Sequence, residues 1–272
     1  MLIVFCMFLP HMPGDYDTLA PTLSFMAQLL GFASLVMVPI GLVWLTHEAI
    51  KDFKKETDAS NATHYFAVVA LTVLFIIGIA ISLTVFVSNN RSLGFILLIL
   101  VVYFFSKLVS GIRRIKNTAN KRFSAIPVYL VCIPLLVLLI RYTLLGQAVE
   151  YSRNRAIRQS EQLIKDIETY YQRNGHYPPS MLSLWKDYKT SVMGIDQYHY
   201  EPAGQVYNLY FEQVSDNPAT REIVMYNKLD EQQMTSHDQD LLLLPPDALD
   251  RQRGYFAVHE LPQPHWKRFL FD

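Results

Sequence analysis

The chain has 272 residues, 51% of them hydrophobic, and balances 24 basic against 24 acidic side chains. Residues 1–146 carry 11 Lys/Arg and 6 Asp/Glu while residues 147–272 carry 13 and 18, so the second half is acidic, lacks a dense basic face, and is not built to neutralise nucleic acid phosphates. The two cysteines, Cys6 and Cys132, both fall in apolar stretches, which leaves residues 147–272 without a disulfide or a thiolate metal site.

Residues 1–18 open with MLIVFCMFLP. This run is too short to cross a bilayer and lacks the basic start and small-residue cleavage pattern of a signal peptide. It reads as an extracytoplasmic segment or a truncated helix. Residues 19–146 hold four long apolar runs, at about 19–45, 65–87, 93–112 and 123–140. Each is close to or above the roughly 20 residues needed to cross a hydrocarbon core. Lys107 lies near one end of the third, where its amine can snorkel to the headgroups, and Arg141 closes the fourth, in which Pro127 and Pro134 predict a kink. Ala27 with Gly31, and Gly78 with Ser82, have the small-xxx-small spacing of close helix contacts.

Lys51, Lys54 and Lys55 follow the first run; Arg113, Arg114, Lys116, Lys121 and Arg122 follow the third. Positively charged loops stay cytoplasmic, so four crossings place the amino terminus and residues 147–272 on the opposite face. Arg153, Arg155 and Arg158 run against that bias, and contact with anionic headgroups would accommodate them.

From Gln147 to Asn174, Val149, Ala156, Ile157, Leu163, Ile164, Ile167, Tyr170 and Tyr171 recur at three- and four-residue spacing, which predicts an amphipathic helix. Gly175 suits a C′ position, and Tyr177 before Pro178 is pushed toward extended backbone. Ser180 is placed to cap a short helix whose Met181, Leu182, Leu184 and Trp185 return to the core. Beyond it the period turns to alternation in YHYEP, VYNLYFEQV, EIVMYN, GYFAVHELP and HWKRFLFD, which predicts antiparallel strands with a hairpin at residues 203–205. The fold class expected is a membrane α-helical bundle of four transmembrane helices plus an extracytoplasmic α+β domain, a long helix packed on a small antiparallel sheet.

Residues 156–184, AIRQSEQLIKDIETYYQRNGHYPPSMLSL, resemble the segment of type II secretion pseudopilins and type IV pilin-like proteins in which an amphipathic helix ends in Tyr, then Asn-Gly-x-Tyr-Pro and a Ser-x-x-x-Leu turn. Tyr171, Asn174, Gly175, Tyr177, Pro178, Ser180 and Leu184 carry the match, as structural rather than chemical residues. The resemblance implies a pilin-like globular domain in the bacterial periplasm, with envelope proteins or pseudopilin-like proteins as partners. It also implies a departure: pilins enter the membrane by one processed helix released at Gly-Phe with Glu five residues on, whereas Gly94-Phe95 here is followed by Ile99. The domain is mounted on a polytopic anchor and is not a processed fibre subunit.

Among the histidines, His199, His259 and His265 fall in or beside predicted strands and His237 lies with Asp238 in an irregular stretch; none shows the i, i+4 helical spacing of a zinc site. Asp230, Glu231, Asp238 and Asp240 match no EF-hand spacing for calcium. Ser152, Ser160, Ser180 and Ser191 lack a nucleophile-elbow context and there is no glycine-rich phosphate loop, so neither an enzyme nor a cofactor is expected. The expected function is a multi-pass inner-membrane protein presenting its domain to an envelope or secretion assembly. The alternatives are a sensor whose domain binds a small-molecule ligand, and a transporter component.

Overall fold

The computed structural model describes residues 2–54, 60–87, 91–115, 125–217, 220–232 and 257–271. They form six α-helices, α1 (Leu2–Phe8), α2 (Leu19–Ala33), α3 (Met37–Lys54), α4 (Ser60–Val87), α5 (Arg91–Ile115) and α6 (Ile126–Asn174), followed by five strands, β1 (His199–Ala203), β2 (Val206–Val214), β3 (Arg221–Asn227), β4 (Ala257–Glu260) and β5 (Trp266–Phe271). Four helical stretches, 19–50, 64–87, 91–109 and 126–174, are long and apolar enough to cross a membrane. The chain divides into two compact units, residues 1–4 with 25–143, and residues 5–24 with 144–272.

In the first unit, the first apolar stretch is two helices joined by a 3-10 turn at Ser34–Val36. Ser34 Oγ turns back onto the Gly31 carbonyl at 2.7 Å, and Pro39 in the next turn has no N–H to return to Leu35, so the α-helical ladder tightens locally. Glycines set the close approaches. A Cβ on Gly78 of α4 would lie 2.9 Å from Val101 of α5, and one on Gly41 would lie 2.8 Å from Val131 of α6. Phe75 and Phe105 stack across α4 and α5 with centroids 4.0 Å apart. Arg141 does not simply close a span: its Nε and Nη2 donate to Gln28 Oε1 at 3.3 and 3.2 Å, and its guanidinium lies 4.7 Å from the Phe32 ring centroid.

The sequence leaves open a helix after Arg141 continuous with the fourth apolar run, and α6 is that continuous helix: it runs unbroken for 49 residues, about 73 Å at 1.5 Å per residue. Pro127 occupies its first turn, where a missing N–H leaves no bond unmade. Pro134 is carried in the interior. The helix stops where the sequence says it should: Gly175 takes φ +76° and its N–H returns to the Tyr171 carbonyl at 2.8 Å, a left-handed C-terminal cap.

The second unit is a five-stranded antiparallel sheet of order β1-β2-β3-β5-β4. The β1–β2 hairpin turns through Gly204 at φ +65°, where glycine carries no Cβ penalty. One sheet face, Tyr207, Leu209, Phe211, Val224, Tyr226 and Trp266, shares a core with Ala156, Ile157, Leu163 and Ile167 of α6. On the other face Ile223, Met225, Phe269 and Phe271 are also buried, so β3 is apolar on both sides of the pleat.

Residues 5–24 join this unit through a strap that the sequence does not reveal. Gly194 N–H donates to the Pro10 carbonyl at 2.8 Å, Met193 N–H to Met12 at 3.0 Å, and Gly14 and Asp17 N–H donate to Ser191 and Met193 at 3.2 and 2.9 Å. Pro13 and Val192 form an antiparallel bridge. Gly194 is needed for the approach, because a Cβ there would stand 2.5 Å from Pro10 Cβ.

Candidate functional site

Gly146, Val149, Glu150 and Arg153, at positions i, i+3, i+4 and i+7 of α6, form one wall of a cavity of about 410 Å³. His259 and Arg268, paired across β4 and β5, line it together with Glu260, Leu261 and Asp216. Strand alternation gives Glu260 the opposite side from His259, so Glu260 contributes backbone rather than its carboxylate. Glu150, His259 and Arg268 make no ion pair or hydrogen bond with any described residue. Arg268 is half-buried and Glu150 exposed.

Beneath the cavity lies a buried polar network. Arg153, 6% exposed, meets Glu222, 1% exposed, with Nη2 and Nε at 2.7 and 2.8 Å from Oε1. Gln213 Nε2 donates to the same oxygen at 3.0 Å. That contact turns the Gln213 carbonyl oxygen toward Ser152 Oγ, 3.4 Å away. Ser152 spends its proton on the nearer Val149 carbonyl at 2.8 Å, so His11 Nδ1, 3.2 Å from Ser152 Oγ, is assigned as the donor. His11 Nε2 is then a bare acceptor, buried with no hydrogen-bond partner. Burial lowers the His11 pKa to about 4, with Asp216 pulling the other way. Arg153 and Arg155 are therefore not free for headgroups: Arg153 is held by Glu222, and Arg155 Nε donates to the Ser191 carbonyl at 2.9 Å.

The seven motif residues form the corner after α6, and none lines the cavity. Tyr171 and Tyr177 pack with centroids 4.4 Å apart, and Tyr177 lies 5.0 Å from Tyr207. Asn174 Nδ2 donates to the Tyr170 carbonyl at 2.9 Å; the Pro178 carbonyl accepts from Tyr200 Oη at 2.9 Å. Gly175 supplies the left-handed cap described above. Ser180 precedes a single 3-10 turn, Met181–Leu184, without a side-chain cap. Met181 and Leu184 pack on the core, but Leu182 and Trp185 are 85% and 92% exposed, because a tight turn cannot present four neighbouring side chains to one surface.

No group of three or more His, Cys, Asp or Glu that could hold a metal occurs among the described residues. His199 stacks on Tyr210 at 4.9 Å, and His265 Nδ1 lies 3.1 Å from Asp230 Oδ2. His237, Asp238 and Asp240 lie outside the described residues. Ser152 is buried and engaged as above, which leaves it no substrate access. The cavity lining combines the charged side chains of Glu150, Asp216 and Arg268 with His259. Its residues come from distant parts of the chain, and the one sequence signal was Arg153, a charge set into the apolar stripe between Val149 and Ala156. No protein family, no curated protein and no solved structure matches the chain.

Proposed function

We propose that the protein is a multi-pass sensor of the bacterial inner membrane whose second unit faces the periplasm and binds a small charged ligand in the cavity beside α6. One observation carries the reading: the cavity wall Gly146–Arg153 and the fourth apolar stretch belong to a single unbroken helix. An occupant therefore touches the element that also crosses the bilayer, and it shifts that element to the extent that it binds one helix state better than another. Support for the sidedness comes from the strap, since residues 10–17 hydrogen-bond residues 191–194 and both must lie on one side of the membrane. Four crossings and the Lys/Arg-rich loops agree with this, as does the resemblance of the domain to pilin-like proteins.

The test uses the full-length protein in nanodiscs, screened by thermal unfolding against a metabolite library. A native-state ligand raises the apparent midpoint. Gly146 lines the cavity and a Cβ there meets nothing within 4 Å, so Gly146→Trp sets a bulky ring on the cavity wall. At least one compound is expected to stabilise wild type and not this variant; a library giving no shift, or equal shifts in both proteins, overturns the reading.

A second reading, protein docking in an envelope or secretion assembly with pseudopilin-like partners, is favoured by Leu182 and Trp185, which stand in solvent on the motif corner. A photo-crosslinker at position 185 should then trap one envelope protein in cells. Loss of that adduct on Leu182→Ser supports docking, and labelling by lipid alone counts against it.

A further inference from the structure

We infer that the cavity takes a zwitterion, a free amino acid or dipeptide with a small apolar side chain, its carboxylate held by Arg268 and its ammonium by Glu150. The inference rests on the reading of the cavity as a ligand site and names what that site selects. The two charged groups stand on different elements, Arg268 on β5 and Glu150 on α6, with the cavity between these walls. Neither is neutralised by a described residue, whereas the other arginine lining the space, Arg153, is spent on Glu222. The site therefore offers the Arg268 guanidinium facing the Glu150 carboxylate, with Asp216, which accepts from Ser215 Oγ at 3.1 Å, as a second acid in the lining, rather than a patch of one sign.

Ligand chemistry follows from that pairing. A planar guanidinium binds a carboxylate through two parallel N–H donors, and His259, the cross-strand neighbour of Arg268, adds a nitrogen on the same strand pair. A simple anion would meet Arg268 but also Glu150 and Asp216, and a simple cation would meet those acids but also Arg268. Only a molecule with both charges leaves neither wall unpaired. Val149 is buried and Leu261 half-buried in the lining, which gives an apolar side chain a surface to cover. The volume of about 410 Å³ falls in the range of about 300–1,000 Å³ usual for small-molecule sites.

The test measures binding to the full-length protein in nanodiscs by calorimetry, with three probes: L-alanyl-L-alanine, its N-acetyl derivative, which lacks the ammonium, and its carboxamide, which lacks the carboxylate. The zwitterion is expected to bind at least about tenfold tighter than either derivative, the size of one lost charge-assisted contact. Arg268→Gln should erase the preference over the carboxamide alone, and Glu150→Gln the preference over the N-acetyl form alone. Neither side chain has a partner among the described residues, so both variants should unfold at the wild-type temperature. Equal binding of the three probes, no binding of any, or preferences unchanged in both variants overturns the assignment. If a derivative binds as well as the zwitterion and Gly146→Trp abolishes it, the cavity stands as a ligand site and only the zwitterion is wrong. If Gly146→Trp leaves every probe unaffected, the cavity reading fails with it.

Discussion

The two units put the same kinds of residue in opposite places. In the first, large apolar side chains face outward: Ile76 is 60% exposed, Phe104 59% and Leu136 55%, while glycines lie at the helix contacts. In the second, Tyr207, Leu209 and Phe211 are fully enclosed and the buried charges Arg153 and Glu222 are paired. With hydrocarbon around it, a helix gains nothing by hiding leucine and gains contact by bringing backbones together; with water around it, burial of apolar area is the main favourable term. The contrast is the one expected of a unit made to face lipid beside a unit made to face water.

That contrast can be broken, most severely at the buried pair. Arg153→Met strands Glu222 in the core of the second unit and should cost about 3–5 kcal/mol, read as accelerated hydrogen exchange across β3. Replacing both partners by apolar residues should recover most of it, since a well-packed apolar pair often matches a buried ion pair. Next is Leu136→Asp, expected to penalise insertion by about 3 kcal/mol if that surface meets lipid, measured by a glycosylation-reporter insertion assay. Leu182→Asp, as exposed but in the second unit, should leave stability unchanged within about 0.5 kcal/mol. Equal effects at the two sites would remove the distinction between lipid and water faces.

A comparable effect is tied to pH. His11 is neutral in the folded state with its pKa lowered to about 4 from 6.5, so the unfolded chain takes up its proton first as pH falls. Its contribution is complete above about pH 6.5 and is lost as pH drops toward 4, to a limit of about 3 kcal/mol. Urea unfolding between pH 7.5 and 4 should show that loss in wild type and a shallower dependence in His11→Gln. A small change is also expected of Lys189→Ala. Its ion pair with Asp15 is 3.1 Å long but open to solvent on both sides, and removing it should cost under about 1 kcal/mol. A larger loss would mean that the strap depends on charge rather than on its backbone bonds.

Local signals were legible and distant ones were not. Apolar run length marks all four long helices, because a bilayer-length segment needs no partner to be recognised. Alternation and Gly204 mark the β1–β2 hairpin, and Gly175 marks the end of α6. The union of the fourth run with the amphipathic helix was legible as an option, because neither Gly146 nor the change in pattern breaks a backbone ladder. Leu182 and Trp185 show that an apolar residue is only permitted, not obliged, to be inside. The strap and the cavity had no local signature at all: His11 meets Ser152 across 141 residues, and Arg268 needs α6 to make a wall.

The strap also sets an order of events during synthesis. Asp15 leaves the ribosome 174 residues ahead of its partner Lys189, a wait of about 10 to 35 s at 5–20 residues per second. Throughout that interval the long apolar stretches are being synthesised while Pro10, Met12 and Gly14 await residues 191–194, their backbone partners. The second unit thus joins residues 5–24 to a segment made only after the long apolar stretches and before its sheet, and a nascent chain stalled before Gly194 should leave residues 10–17 open to protease.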